Sequence, residues 1–219
     1  MIKAIIFDLD GVIVDTARHH YQAWKRLAKE FGFFFSIEQN ERLKGISRME
    51  SLEILLNIGN IKIYSEEEKI RLATQKNNWY RENILKMTSD DILPGVENFL
   101  SELKKEEYKI AIGSSSKNAG TILQQIGYED FFDVVIDGTK ITNSKPDPEV
   151  FIKAAQCIET NPENCVVIED AHAGIEAAKK ANMKTIGIGN KQILHNADIV
   201  IPDLKNINKS IFDKFNKDL

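Results

Sequence analysis

The chain opens with Met1-Ile2-Lys3-Ala4-Ile5-Ile6-Phe7-Asp8-Leu9-Asp10-Gly11-Val12-Ile13-Val14-Asp15, an apolar β-prone run that ends abruptly in carboxylates. A strand apolar on both faces belongs in the middle of a covered parallel sheet. Asp8 and Asp10 are two residues apart, so they point to the same face at the carboxyl end of that strand. Open α/β sheets bind ligands at this edge. The alternative is an ordinary acidic turn, but Asp-x-Asp-Gly-x-x-x-Asp after a strand favours a catalytic motif.

Length and composition narrow the possible functions. With 219 residues, 42% of them hydrophobic, the chain can bury a full hydrophobic core. This length fits one domain, or one domain with a second unit about half its size. A formal charge of -4 argues against nucleic acid or an anionic membrane surface as the main partner. Lys3, Asp8 and Asp10 exclude a secretory signal, and no apolar run is long enough to span a bilayer. We therefore expect a cytoplasmic protein, with Cys157 and Cys165 as reduced packing residues. We also expect a monomer, although none of these features bears on the oligomeric state.

The periodicity divides the chain into a helical insertion and an alternating core. Residues 15–92 show helical spacing and no convincing strand. They include two predicted capping boxes, at Ser47 and at Ser65, and the second begins a charged helix that we expect to end near Met87. After Leu93-Pro94-Gly95, strands and helices alternate, which predicts a parallel sheet with right-handed crossovers. The predicted fold class is α/β, a Rossmann-like parallel-sheet core (1–14 and 93–219) with an inserted α-helical cap (15–92). A polar tail closes the chain.

Polar side chains also follow three later strands. Ser114 to Asn118 offers hydroxyls and backbone N–H groups at a helix start, which is a natural anion site. Taken alone, the segment is better explained as a Ser-rich helix cap, but its position after an apolar strand favours the anion site. Lys145 precedes a rigid Pro-x-Pro stretch, where a solvated loop lysine is the alternative. Glu169 and Asp170 end an apolar strand, and capping explains only one of these two carboxylates. Parallel strands bring all these segments to one edge of the sheet.

These four segments, in this order, resemble the motifs of the haloacid dehalogenase superfamily, which consists mostly of phosphatases and phosphomutases. The resemblance implies that Asp8 attacks phosphorus to form an aspartyl phosphate and that Asp10 is the general acid and base. It also implies that Ser114 and Lys145 hold the transferring phosphate. The implied cofactor is Mg2+, and its implied ligands are Asp8, the backbone carbonyl of Asp10, Glu169 and Asp170. Carboxylates beside an anionic phosphate need such a cation.

The cap resembles that of the β-phosphoglucomutase family in Leu43 to Arg48 and in Gln75-Lys76-Asn77. This resemblance implies that the phosphate not being transferred is bound by Arg48, Ser116, Lys117 and Asn118. It implies a sugar site formed by Thr16, His20, Trp24, Lys44, Gly45, Ile46, Ser47, Ser51, Lys76 and Ser115. His20, Lys44 and Lys76 have a simpler explanation as solvated residues, and Trp24 as cap core. Ser115 departs from the family pattern, in which a smaller residue stands, and Ala171-His172 also departs.

The implied reaction is interconversion of β-D-glucose 1-phosphate and glucose 6-phosphate through β-glucose 1,6-bisphosphate. The expected partners are therefore a sugar-phosphate substrate and a sugar bisphosphate intermediate, without nucleic acid or membrane. A Mg2+-dependent sugar-phosphate phosphatase would share every core residue and differ only in the cap. A non-catalytic phosphate-binding module is disfavoured, because a binder would not need a nucleophile beside a metal site.

Overall fold

The computed structural model describes residues 1–62 and 65–215. Within these residues a single parallel sheet forms the centre of the core, in the order β3-β2-β1-β4-β5-β6. Its strands are β1 (Ala4–Phe7), β2 (Lys109–Gly113), β3 (Val134–Ile136), β4 (Cys165–Glu169), β5 (Lys184–Ile188) and β6 (Ile199–Ile201). The predicted parallel α/β core is confirmed.

The first strand is central because all four of its side chains are apolar. Ile5 and Phe7 belong to the hydrophobic cluster on one face of the sheet, and Ala4 and Ile6 to the cluster on the other face. Phe7 is in register with Ile112 on one side and Ile168 on the other. Asp8 therefore follows β1 at the level where β2 and β4 also end.

Helices cover the sheet and form the insertion. They are α1 (Ala17–Glu30), α2 (Ile37–Asn40), α3 (Arg48–Ile58), α4 (Glu66–Ile84), α5 (Val96–Lys105), α6 (Ala119–Gln125), α7 (Glu149–Cys157) and α8 (His172–Lys180). Helices α1 to α4 lie between β1 and β2 in the chain and have a separate hydrophobic cluster that includes Trp24, Leu27, Phe35 and Leu55. A cap with its own core is consistent with the predicted insertion. The exact domain boundaries, 15 and 92, stay predictions.

Three sequence expectations need correction. Helix α4 ends at Ile84, before Met87. Cys157 is exposed, because α7 turns Ala154, Ala155 and Ile158 toward the core and Cys157 away from it; only Cys165 is buried. The expected polar tail contains a 3-10 helix, Lys209–Phe215, that buries Ile211 and Phe212; the Phe212 ring lies 6.2 Å from that of Phe99. The last four residues lie outside the described part of the chain.

No helix among the described residues is long and apolar enough to cross a bilayer.

Candidate active site

A cavity of about 670 Å³ lies between the cap and the carboxyl edge of the sheet. Every predicted site residue lines it except Thr16, Lys145 and Glu169. These three are fully buried just behind the wall, where each contacts a residue on or next to it. The structure thus brings together residues from β1, the cap, and the segments that follow β2, β3 and β4.

Three carboxylates form a cluster at the bottom of the cavity. Asp8, Glu169 and Asp170 each offer one oxygen, and these oxygens lie within 4.8 Å of one another. Glu169 is the last residue of β4, and Asp8 follows the adjacent strand β1. Burial, followed by the negative charge of Asp8, raises the pKa of Glu169 to about 8. Burial likewise raises the pKa of Asp170 to about 7, although Lys44 opposes the shift. Such crowding favours a divalent cation.

Lys145 supplies a positive charge to this cluster. Its Nζ donates hydrogen bonds to Asp8 at 2.5 Å and to Glu169 at 2.8 Å, and its side chain is fully buried. Burial alone would lower the pKa of Lys145, but the two carboxylates outweigh it and the pKa rises above its usual value. Lys145 is therefore a permanent cation beside the predicted nucleophile. It is not the solvated loop lysine that was the alternative.

Asp10 has different neighbours. The Thr16 hydroxyl donates a hydrogen bond to its Oδ1, and the Tyr80 hydroxyl lies 3.5 Å from the same oxygen. Burial, then the charge of Asp8, raises the pKa of Asp10 to about 6. The side chain of Asp10 is not part of the carboxylate cluster. Thr16, expected at the sugar, lies beneath Asp10 instead and is excluded from the cavity wall by its complete burial.

The cap wall carries a buried basic group. Lys76 Nζ lies 2.9 Å from His20 Nδ1 and 4.4 Å from the centre of the Trp24 ring. Burial, then the charge of Arg48, lowers the pKa of Lys76 well below its usual value. Burial, then the charge of Lys76, also lowers the pKa of His20 well below its usual value. Lys76 is therefore buried and not solvated, whereas His20 is partly exposed at the cavity surface. Trp24 serves both the cap core and the cavity wall.

Arg48 and the Ser-rich turn, Ser114 to Asn118, also line the cavity. Arg48 is the first residue of α3, which Ser47 caps through the predicted capping box with Glu50. In the turn after β2, the Ser114 hydroxyl accepts from the Ser116 N–H at 3.1 Å, and the Ser116 hydroxyl accepts from the Asn118 N–H at 3.2 Å. The turn is thus organised by its own hydroxyls. Lys44, Gly45, Ile46, Ser47, Ser51 and Lys117 also line the cavity.

Comparison with known proteins identifies the family of this chain. The profile of the haloacid dehalogenase-like hydrolases matches residues 5–188. The chain belongs to this family. A β-phosphoglucomutase of Bacillus subtilis (strain 168) is 45% identical over 201 residues, which cover 91% of this chain and 89% of that protein. A phosphorylated carbohydrates phosphatase of Thermotoga maritima is 33% identical over 187 residues, 84% of each chain.

A solved structure agrees with this assignment. The crystal structure of β-phosphoglucomutase (pgmB) from Clostridium difficile superposes with a TM-score of 0.94 at 47% identity, covering 99% of this chain and 98% of that one. The likeness extends over the sheet and the helical cap. The haloacid dehalogenase-like fold with a helical cap, expected from the four motifs, is therefore confirmed.

The donor set of this family member suits Mg2+. The ion prefers a few carboxylate oxygens and completes its shell with phosphate oxygens and waters. Asp8, Glu169 and Asp170 meet this requirement, since all three face one point and offer only oxygen. Gly174 permits the arrangement, because a Cβ at this position would overlap the Glu169 carboxylate. The structure therefore supports a metal site of hard oxygen ligands.

Sequence reasoning missed part of the cavity wall. The loop between β3 and α7 contributes Gly138 and Ile141 to Ser144, and the cap contributes Asn40 and Asn77. Asn77 Oδ1 accepts a hydrogen bond from Asn118 Nδ2 at 3.1 Å, which links cap to core. No spacing marks the loop as functional. The rule that loops at the carboxyl edge of a parallel sheet surround the ligand is the signal that predicts it.

Proposed function

We propose that the chain interconverts β-D-glucose 1-phosphate and glucose 6-phosphate, as a β-phosphoglucomutase. One observation carries the proposal: the nucleophile and its charged neighbours face, across a single cavity, a second cationic group in the cap, Arg48. A sugar bisphosphate carries a phosphate at each end, so its binding site needs a cationic group at each end. Identity of 45% to a β-phosphoglucomutase over core and cap together supports the same function.

Asp8 is the proposed acceptor and donor of the phosphoryl group. Its carboxylate oxygen attacks phosphorus, the bond from phosphorus to the sugar oxygen breaks, and the product on the enzyme is an aspartyl phosphate. Lys145 and the Ser114 turn stabilise the charge that spreads over the moving group. Mg2+ held by Asp8, Glu169, Asp170 and the Asp10 carbonyl would neutralise the phosphate oxygens.

Asp10 is the proposed general acid and base. In the first half of the cycle it takes the proton of the 6-hydroxyl as that oxygen attacks the phosphoenzyme, which yields the bisphosphate. In the second half it returns the proton to the oxygen at C1 when Asp8 accepts the other phosphate. Thr16 and Tyr80 orient the carboxylate, and its raised pKa suits a group that must carry the proton between steps.

The cap has the task of favouring a sugar hydroxyl over water. A well-oriented bound hydroxyl can reach an effective concentration of about 10⁵ M or more, far above that of water. We assign Arg48, Ser116, Lys117 and Asn118 to the distal phosphate, because a guanidinium forks onto two phosphate oxygens. We assign His20, Trp24, Lys44, Gly45, Ile46, Ser47, Ser51 and Lys76 to the sugar. The cytoplasmic location and the monomeric state stay predictions.

The test is a coupled assay for glucose 6-phosphate with β-glucose 1-phosphate as substrate, β-glucose 1,6-bisphosphate as primer and Mg2+. The α anomer serves as the substrate control and Asp8→Asn as the inactive enzyme, since an amide cannot form an acyl phosphate. Inorganic phosphate is measured in the same samples. Formation of glucose 6-phosphate well ahead of phosphate supports the mutase. Phosphate release as fast as glucose 6-phosphate formation would instead make the chain a sugar-phosphate phosphatase.

A further inference from the structure

One hydrogen bond joins the core to the cap beside the reacting groups. The Ser115 hydroxyl, in the turn after β2, donates to the backbone carbonyl of Gly45 in the cap at 3.0 Å. The two residues are 70 positions apart. The side chain predicted to contact substrate is thus already bound to the cap.

The Gly45 backbone can approach the core closely because it has no side chain. Its φ of +74° lies in the left-handed region that favours glycine. A Cβ at this position would stand 3.0 Å from the Cβ of Ala171, near the start of α8. The cap loop therefore rests directly on the core, and Ser115 binds it at the point of contact.

The position of this loop sets the position of Arg48. Gly45 is followed by Ile46 and then by Ser47, whose capping box begins α3 with Arg48 as its first residue. Three residues of chain cannot absorb a large movement of the Gly45 peptide without moving the capped helix start. A hydrogen bond that holds Gly45 thus also holds Arg48 over the cavity.

Other links across the gap use groups with a proposed ligand. Lys44 Nζ lies 3.5 Å from Asp170, which we assign to the metal, and Asn77 accepts from Asn118, which we assign to the distal phosphate. Those contacts must share their partners with the ligands when these bind. The hydrogen bond from Ser115 to Gly45 uses no group that we assign to the metal or to the distal phosphate.

We propose that Ser115 is a positioning residue that, through Gly45, keeps the cap loop docked and so selects the sugar hydroxyl over water. The proposal rests on the proposed function. Loss of one neutral hydrogen bond changes the balance between docked and undocked loop by roughly 2- to 10-fold. Ser115→Ala should lower the ratio of glucose 6-phosphate to inorganic phosphate by about this factor. A purely structural defect would slow both products alike and leave the ratio unchanged.

The experiment compares Ser115→Ala, Ser115→Thr and Ser101→Ala with the wild type. Ser101→Ala makes the same chemical change at an exposed position of α5. We expect a lower product ratio and faster amide exchange in residues 43–48 for Ser115→Ala, near wild-type values for Ser115→Thr, which keeps the hydroxyl, and no change for Ser101→Ala.

The two proposals fail in different ways. Unchanged ratio and unchanged exchange in Ser115→Ala, or a Thr variant that behaves like Ala, would overturn the role of Ser115. A wild type that releases only phosphate would overturn the mutase function, while amide exchange would still decide whether Ser115 holds the loop.

Discussion

Asp8 and Asp10 stand two positions apart in the chain, yet their neighbours prepare them for different tasks. Asp8 contacts the Lys145 cation and shares a small volume with Glu169 and Asp170. Asp10 accepts hydrogen bonds from the hydroxyls of Thr16 and Tyr80, with His20 Nε2 3.9 Å from the same oxygen, and burial raises its pKa to about 6. A carboxylate paired with a lysine at a candidate metal site suits nucleophilic attack, and one with a raised pKa suits proton transfer.

Asp10→Asn should slow phosphoryl transfer by about 10²–10⁴-fold, the usual contribution of a general acid and base. Mg2+ affinity should persist, because the carboxylate cluster of Asp8, Glu169 and Asp170 does not include the Asp10 side chain. Single-turnover kinetics measure the first effect and titration calorimetry the second. A loss of Mg2+ affinity as large as that in Asp170→Ala would contradict this division and make the Asp10 side chain a ligand.

Gly174→Ala should weaken Mg2+ binding by displacing one of the proposed metal ligands. The added Cβ would overlap the Glu169 carboxylate, which must then turn away from Asp8 and Asp170. Displacing a residue that supports metal ligands typically weakens binding by about 10- to 100-fold, and we expect a loss of this size in Mg2+ affinity by calorimetry. Gly120→Ala in α6 is the matched control, since an added Cβ there meets nothing within 4 Å. Equal affinity in both variants would refute the role of Gly174.

At the scale of elements, the start of α7 holds the loop that leads to Lys145. Glu149, the first residue of α7, accepts hydrogen bonds from the Asn143 N–H at 2.7 Å and the Thr142 N–H at 2.9 Å. Lys153 donates to the same carboxylate at 2.6 Å. The loop residues line the cavity, so the helix that carries Glu149 shapes one wall of the candidate site.

Glu149→Gln should destabilise the fold in a pH-dependent way. Lys153 first, then the two backbone N–H groups, lower the pKa of Glu149 from 4.5 to about 2. A lowered carboxyl pKa contributes stability that is fully present above 4.5 and is lost as the pH falls through about 2. Thermal unfolding from pH 7 to pH 3 should therefore show a gap between wild type and variant that narrows below pH 4.5. Glu163→Gln, at an exposed position, controls for the change of net charge. A gap that is constant with pH would contradict the assignment.

At the scale of the whole molecule, cap and core each supply half of the site. The core holds the proposed nucleophile and the carboxylate cluster, and the cap holds Arg48, Lys76 and His20 on the facing wall. Neither half encloses the 670 Å³ cavity alone. Discrimination between a sugar hydroxyl and water therefore depends on how the halves meet.

Arg48→Ala should convert a mutase toward a phosphatase. Loss of hydrogen bonds between a guanidinium and a phosphate costs about 1.5–3 kcal/mol, which corresponds to roughly 10- to 100-fold weaker bisphosphate binding and mutase turnover. Hydrolysis of the phosphoenzyme should stay near its original rate, because the core is intact. The ratio of glucose 6-phosphate to inorganic phosphate reports the difference. Arg71→Ala, an exposed arginine of the same cap, is the control. An unchanged ratio of glucose 6-phosphate to inorganic phosphate in Arg48→Ala would contradict the mutase assignment.

The sequence by itself determined the central strand and the order of the motifs, since both depend on local patterns. Four consecutive apolar residues can be buried only between two covered faces, and the carboxylates after them must then lie at the carboxyl edge. The capping box at Ser47 is equally local and is confirmed. At Ser65 only half of the predicted box is present, the hydrogen bond from the Glu68 N–H to the Ser65 hydroxyl. The chemical types of the nucleophile, the lysine and the acidic pair were likewise readable from short segments.

Only the tertiary structure decided which of these groups touch. Lys145 reaches Asp8 across 137 positions of chain, Thr16 lies under Asp10 and outside the cavity, and Ser115 binds the cap. Cys157 faces solvent, and the loop after β3 joins the wall. No local pattern encodes these contacts, because each depends on how distant segments pack once β1 lies between β2 and β4 and the cap rests on the core.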